Sequence, residues 1–100
     1  MTVVVVADAA GAFAENKDVA RNLRRELLVP ALAGGETVTI DFGGVELATQ
    51  SFIHALVSDV IRSMGPNVVD SIAFRNCNDA IRGLIEIVVE YSQEGLQDEE

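Results

Sequence analysis

Three short runs, the β-branched TVVVV (residues 2–6) and TVTIDF (37–42) and then SIAFRN (71–76), each lead into a stretch where apolar residues recur every three or four positions. Strands separated by helical crossovers pair in parallel through right-handed units. The chain is therefore expected to be α/β, in the order β-α-β-α-β-α, with a mainly parallel sheet flanked by helices. A further short strand is expected within AGAFAEN (10–16). TVVVV, with no polar alternation, reads as a strand buried on both faces.

The first helical stretch, Lys17 to Leu28, places Val19, Ala20, Leu23 and Leu27 on one face and Arg21, Arg24, Arg25 and Glu26 largely elsewhere. Asn16 is placed to cap it, and Pro30, which lacks a backbone donor, is expected to end or kink it before the stop at Gly34 and Gly35. In the second helix Ile53, Leu56, Val57, Val60, Ile61 and Met64 form the stripe, closed by Gly65 and Pro66. In the third, capped by Asn78, the stripe is Ile81, Leu84, Ile85 and Val88, widened by Ile87 and Tyr91.

A hundred residues, 49% of them hydrophobic, suit one core, assigned to residues 1–95, with an acidic tail at 96–100 expected to fray. A chain this short buries only about two thirds of the surface that its unfolded form exposes, which keeps self-association open as a source of stability. Sixteen acidic and seven basic residues leave a net charge of -9, which repels nucleic acid and anionic membranes. The apolar opening is too short to span a bilayer and no basic segment precedes it, so residence in the cytoplasm is the expectation. Cys77 is alone, leaving no intrachain disulfide and no cysteine-rich zinc site.

Catalytic chemistry is poorly supplied. No Ser-His-Asp spacing and no phosphate-binding glycine loop occurs, and the lone His54 has no second histidine or cysteine to share a metal. His54 reads as a solvated helix residue within reach of a partner. Asp41 and Glu46 lie one loop apart, yet in a chain this acidic such a pair reads as solvated surface, and Asp41 as a strand-end carboxylate bonded to loop amides. No catalytic residue and no cofactor are assigned. The informative stretch is the junction GGVELATQS, at the carboxyl end of the second strand, where α/β folds gather ligands. Thr49 or Ser51 can cap the following helix, and capping alone accounts for a hydroxyl there. Phe52 serves either as core or as a docking anchor.

VTIDFGGVELATQSFIHAL (38–56), with IAFRNCNDAIRGLI (72–85) behind it, resembles the STAS-like family of bacterial domains of largely unassigned function, over roughly the last two thirds of the chain. More distantly it is similar to sulfate-transporter and anti-sigma-factor-antagonist domains. In those antagonists a strand aspartate and a short loop lead to an aspartate-serine-serine-glycine helix start, whose first serine is phosphorylated by a partner kinase. Aligning Asp41 with the strand aspartate puts Thr49, Gln50, Ser51 and Phe52 on those four positions. Glutamine cannot accept a phosphoryl group, so only the neighbours Thr49 and Ser51 are left as substitutes for phosphorylation.

The resemblance implies a small STAS-like sandwich and a non-enzymatic regulatory module. Its partner would be a protein, with a histidine-kinase-like ATPase as the class implied, docked through Thr49, Gln50, Ser51, Phe52 and His54. Two alternatives stand beside this one: a small-molecule or nucleotide binder using helix N-termini, and a structural subunit that forms a homodimer. Whether Lys17 to Arg25 makes a second contact face is left open.

Overall fold

The computed structural model describes residues 2–95. The acidic segment 96–100, expected to fray, lies outside the described residues. The chain begins with β1 (Thr2–Val5), a short helix α1 (Val6–Ala10) and β2 (Phe13–Ala14). A continuous helical run comes next: α2 (Lys17–Leu23), a π-helical turn at Arg24–Leu28 and α3 (Val29–Ala33). After it come β3 (Val38–Asp41) and β4 (Leu47–Ala48), then a second run: α4 (Gln50–Ile53), a π-helical turn at His54–Ser58 and α5 (Asp59–Met64). A 3-10 helix (Pro66–Ser71), β5 (Ile72–Arg75) and α6 (Asp79–Gly95) complete the described chain.

The main sheet has the order β1-β3-β5 with both pairs parallel, Val38 opposite Thr2 on one side and Ile72 on the other. The chain is thus α/β with a parallel sheet, as the alternation of runs predicts. β2, expected within AGAFAEN, pairs in parallel with β4 as a separate two-stranded ribbon, Phe13 opposite Leu47.

TVVVV is not buried on both faces. Val4 and Val6 have no exposed surface, whereas Val3 is 41% and Val5 36% exposed. Topology explains the correction. A strand order that advances in one direction through right-handed crossovers sets every crossover helix on the same face of the sheet, and β1 is an edge strand besides. Val4, Val38, Ile40 and Ile72 face the helices, and Val3, Val5 and Ala73 face outward.

Pro30 does not end the first helical run. Upstream of it the Val29 N–H bonds the Arg24 carbonyl, five residues back. A widened turn of this kind accommodates a residue that lacks an N–H and whose ring crowds the preceding turn. The extra residue also shifts the apolar face, so Leu28 is fully buried while Leu27, placed in the stripe by regular spacing, is 40% exposed. In the second run Ile53, Leu56, Val57, Val60 and Ile61 are buried as expected, and Met64 at its end is exposed. Gly65, at φ 96°, closes that run in a conformation that favours glycine.

Candidate functional site

The carboxyl end of β3 is pinned by its aspartate. Asp41 Oδ1 accepts the Gly43 N–H at 2.8 Å and Asn76 Nδ2 at 3.0 Å, and Oδ2 accepts Arg75 Nη2 at 3.2 Å. Asn76 reaches it from the left-handed region, at φ 60°, which asparagine tolerates better than most residues. A side chain on Gly43 would meet Asp41 Oδ1 at 3.0 Å, so the turn closes tightly over the carboxylate. The other end of the loop is tied to the opening of α6, where Asn78 Nδ2 donates to the Glu46 carbonyl at 3.0 Å. The Asp41 carboxylate oxygens bond Gly43, Asn76 and Arg75, and the Glu46 carboxyl is not among their hydrogen-bond partners.

The Gly43 N–H foremost, then the Asn76 amide and the Arg75 guanidinium, hold the Asp41 carboxyl below its ordinary value of 3.8, against an opposing push from burial. A depressed folded-state value contributes stability above pH 3.8 that is lost as pH falls through the folded value. The melting temperature of Asp41→Asn is therefore expected to lie below wild type at neutral pH, with the gap closing in acid below the ordinary carboxyl range. A gap of constant size from neutral to acid would show that ionised Asp41 contributes nothing.

Of the two candidate caps, Thr49 is the one used. Its Oγ1 accepts the Phe52 N–H at 3.1 Å, and Ser51 Oγ lies 3.4 Å from the same oxygen. A cap of this kind contributes about 0.5 to 2 kcal/mol. Phe52 has no exposed surface and belongs to the core. Two residues into a capped helix its ring turns inward while Gln50 and Ser51 stay exposed, and this removes Phe52 from the docking set.

Gln50, Ser51 and His54 open onto a cleft of about 540 Å³. The facing wall is Lys17, Arg21 and Arg24, on the helical run that starts at α2, and Tyr91 of α6 closes one side. Within Lys17 to Arg25, Lys17, Arg21 and Arg24 thus meet the start of α4 in one concavity, while exposed Arg25 is not among its lining residues. Arg24 is held in place, donating to the Ala55 carbonyl and to Asp59 Oδ2, each at 2.9 Å. Arg21 bonds the exposed Asp18 at 2.9 Å. His54 is half-buried rather than solvated, with Nδ1 2.7 Å from the Tyr91 hydroxyl. Behind the cleft the buried Ser92 hydroxyl donates to that of Ser58 at 3.0 Å, tying α6 to the second π-helical turn.

Sequence reasoning missed the exposed pair Phe13 and Leu47, opposite one another on the β2-β4 ribbon and each more than half exposed. The signal available was an aromatic set among alanines and glycines. Among the described residues no group of three metal-ligating side chains forms, and no helix is long and apolar enough to cross a membrane. Cys77 is half-buried, and burial pushes its thiol up, away from the thiolate form a nucleophile needs.

No curated protein and no solved structure matches this chain. A family model described as a STAS-like domain of unknown function (DUF4325) matches residues 19–82, close to two thirds of the chain. The match takes in Arg21 and Arg24, the pinned loop, the helix start at α4 and β5, and leaves out Lys17 and β1. The chain belongs to the family of STAS-like domains of unknown function.

Proposed function

We propose that this domain is a non-enzymatic regulatory module that docks a protein partner in the cleft between α2 and the start of α4, and that the partner presents an acidic segment there. The observation that carries the reading is charge. In a chain of net charge -9, three of seven basic residues line one concavity against a single acid, Asp59, which pairs with Arg24 and leaves Lys17 and Arg21 to set its sign. Such a local reversal of sign steers an oppositely charged partner and fixes its register. The pinned loop keeps Gln50 and Ser51 fixed beside those cations, which lowers the ordering cost of docking. Gln50 stands where the antagonist domains carry their phosphoserine and the Thr49 hydroxyl is engaged as a cap, which favours docking without a phosphorylation cycle; stoichiometric phosphate on exposed Ser51 in protein from its host would overturn this.

A histidine-kinase-like ATPase is the partner class to try first, on the resemblance to antagonist domains. Titration of such an ATPase from the same host with Lys17→Glu/Arg21→Glu is expected to show at least tenfold weaker binding than wild type. The loss should lie mainly in the association rate and shrink as salt is raised. Both side chains are solvent-accessible and Arg21 pairs only with exposed Asp18, so the melting temperature is expected to stay near wild type. Equal binding by wild type and double variant would remove the cleft from the interface. A nucleotide in the same cleft is the second reading, favoured by the same cations. The Thr49 hydroxyl already occupies one amide of the helix start, and a nucleotide-dependent rise in melting temperature tests that reading.

A further inference from the structure

We infer that the open edge of β5 is a docking edge for an extended segment of a protein partner, added to the sheet as a fourth strand, with aliphatic and basic side chains together on the face it turns toward α6.

The backbone supplies the first part of the argument. β5 ends the sheet, and the Phe42 N–H bonds the Arg75 carbonyl. Alternation along a parallel strand then turns the amides of Ala73 and Arg75 toward β3 and those of Ile72 and Phe74 outward. The Ile72 N–H is taken by the Val69 carbonyl of the 3-10 helix, whereas among the described residues that of Phe74 has no partner beyond the sheet edge. An unpaired edge of this kind is the template for strand addition.

The side chains supply the second part. Next to that edge lies a groove of about 540 Å³ lined by Val69, Ile72, Phe74, Ile85 and Val89. A strand laid along β5 sends every second side chain over this apolar floor. Glu86 and Glu90, one turn apart on α6, stand on the rim. Two carboxylates at that spacing repel one another, and a lysine or arginine on the incoming strand relieves the repulsion. Floor and rim lie on the same side of the sheet, so the segment that fits carries both its aliphatic residues and its cations on the face turned toward α6, at every second position.

Charge also argues against a second copy as occupant. Pairing β5 with β5 about a two-fold axis brings both Glu86 and Glu90 rims together, in chains that each carry a net charge of -9. The groove shares no lining residue with the cationic cleft, so this inference stands or falls separately from the docking proposed there.

The test uses the full chain, isotope-labelled, titrated with a capped valine-lysine peptide, in which valine and lysine take turns at every second position with threonine between, and, in parallel, with the same peptide carrying glutamate in place of lysine. The valine-lysine peptide is expected to bind saturably and to slow hydrogen exchange of the Phe74 amide at least tenfold. Glu86→Lys/Glu90→Lys, at two exposed helix positions, is expected to weaken that binding at least tenfold with the melting temperature unchanged. Val89→Lys, which puts a charge on the groove floor, is expected to do the same. The inference is overturned by equal binding of the glutamate peptide, by protection that bypasses Phe74, or by no binding up to the solubility limit of the valine-lysine peptide. It is also overturned by a concentration-dependent dimer that Val89→Lys abolishes, since a second copy then fills the groove.

Discussion

Phe52→Ala is expected to lower the free energy of unfolding by about 3 to 5 kcal/mol, the range for truncating a buried aromatic ring. A domain of this size has about 5 to 15 kcal/mol in total, so this one change removes a large share. The physical reason is placement. Phe52 is among the largest fully buried side chains, and its own N–H is the one that Thr49 caps, so ring and cap hold the same turn in place. Urea denaturation measures the loss, and an unchanged dependence on urea would keep it a matter of packing rather than of the unfolded state. Gln50→Ala, two residues away and exposed, is expected to change stability by less than about 0.5 kcal/mol. Were Phe52 a docking anchor instead, the pattern would invert, with stability kept and binding lost.

Only part of the placement of Phe52 is legible in the sequence. Its apolar character and its position two residues past Gln50 are visible there; which way a ring turns at the second residue after a capped start depends on which hydroxyl caps, and Thr49 and Ser51 are equivalent on paper. The parallel sheet was legible because three strand-like runs separated by helical stretches admit few other connections. The exposure of Val3 and Val5 was not, because a valine run looks the same whether helices cover one face of a sheet or both. The cations were legible one at a time. Lys17, Arg21 and Arg24 fall at i, i+4 and i+7, one face of a regular helix. That this face meets the start of α4 is a long-range packing fact with no local signature. Likewise Asp41 and Asn76 are 35 residues apart, and only the β3-β5 register brings them within hydrogen-bond distance.

Leu27 and Leu28 put the least legible feature, the π-helical turn, to a direct test. Regular spacing from Val19, Ala20 and Leu23 selects Leu27 as the next inward residue. The turn at Arg24–Leu28 inserts one extra residue before Pro30, which rotates the remainder of the run and sends Leu28 inward with no exposed surface. Leu28→Ala is therefore expected to leave a cavity costing about 2 to 5 kcal/mol. Leu27→Ala, at a position 40% exposed, is expected to cost less than about 1 kcal/mol. Both substitutions remove the same atoms and have nearly the same effect on helix propensity, so the difference between them isolates the register of the turn. Comparison of the two urea midpoints measures it. Equal costs would place both leucines half inward, and a larger cost at Leu27 would restore the regular spacing and remove the π-helical turn. Pro30→Ala extends the test: it restores a backbone donor just past the widened turn, and if the turn exists because of Pro30, the regular helix becomes competitive and the contrast between Leu27 and Leu28 narrows.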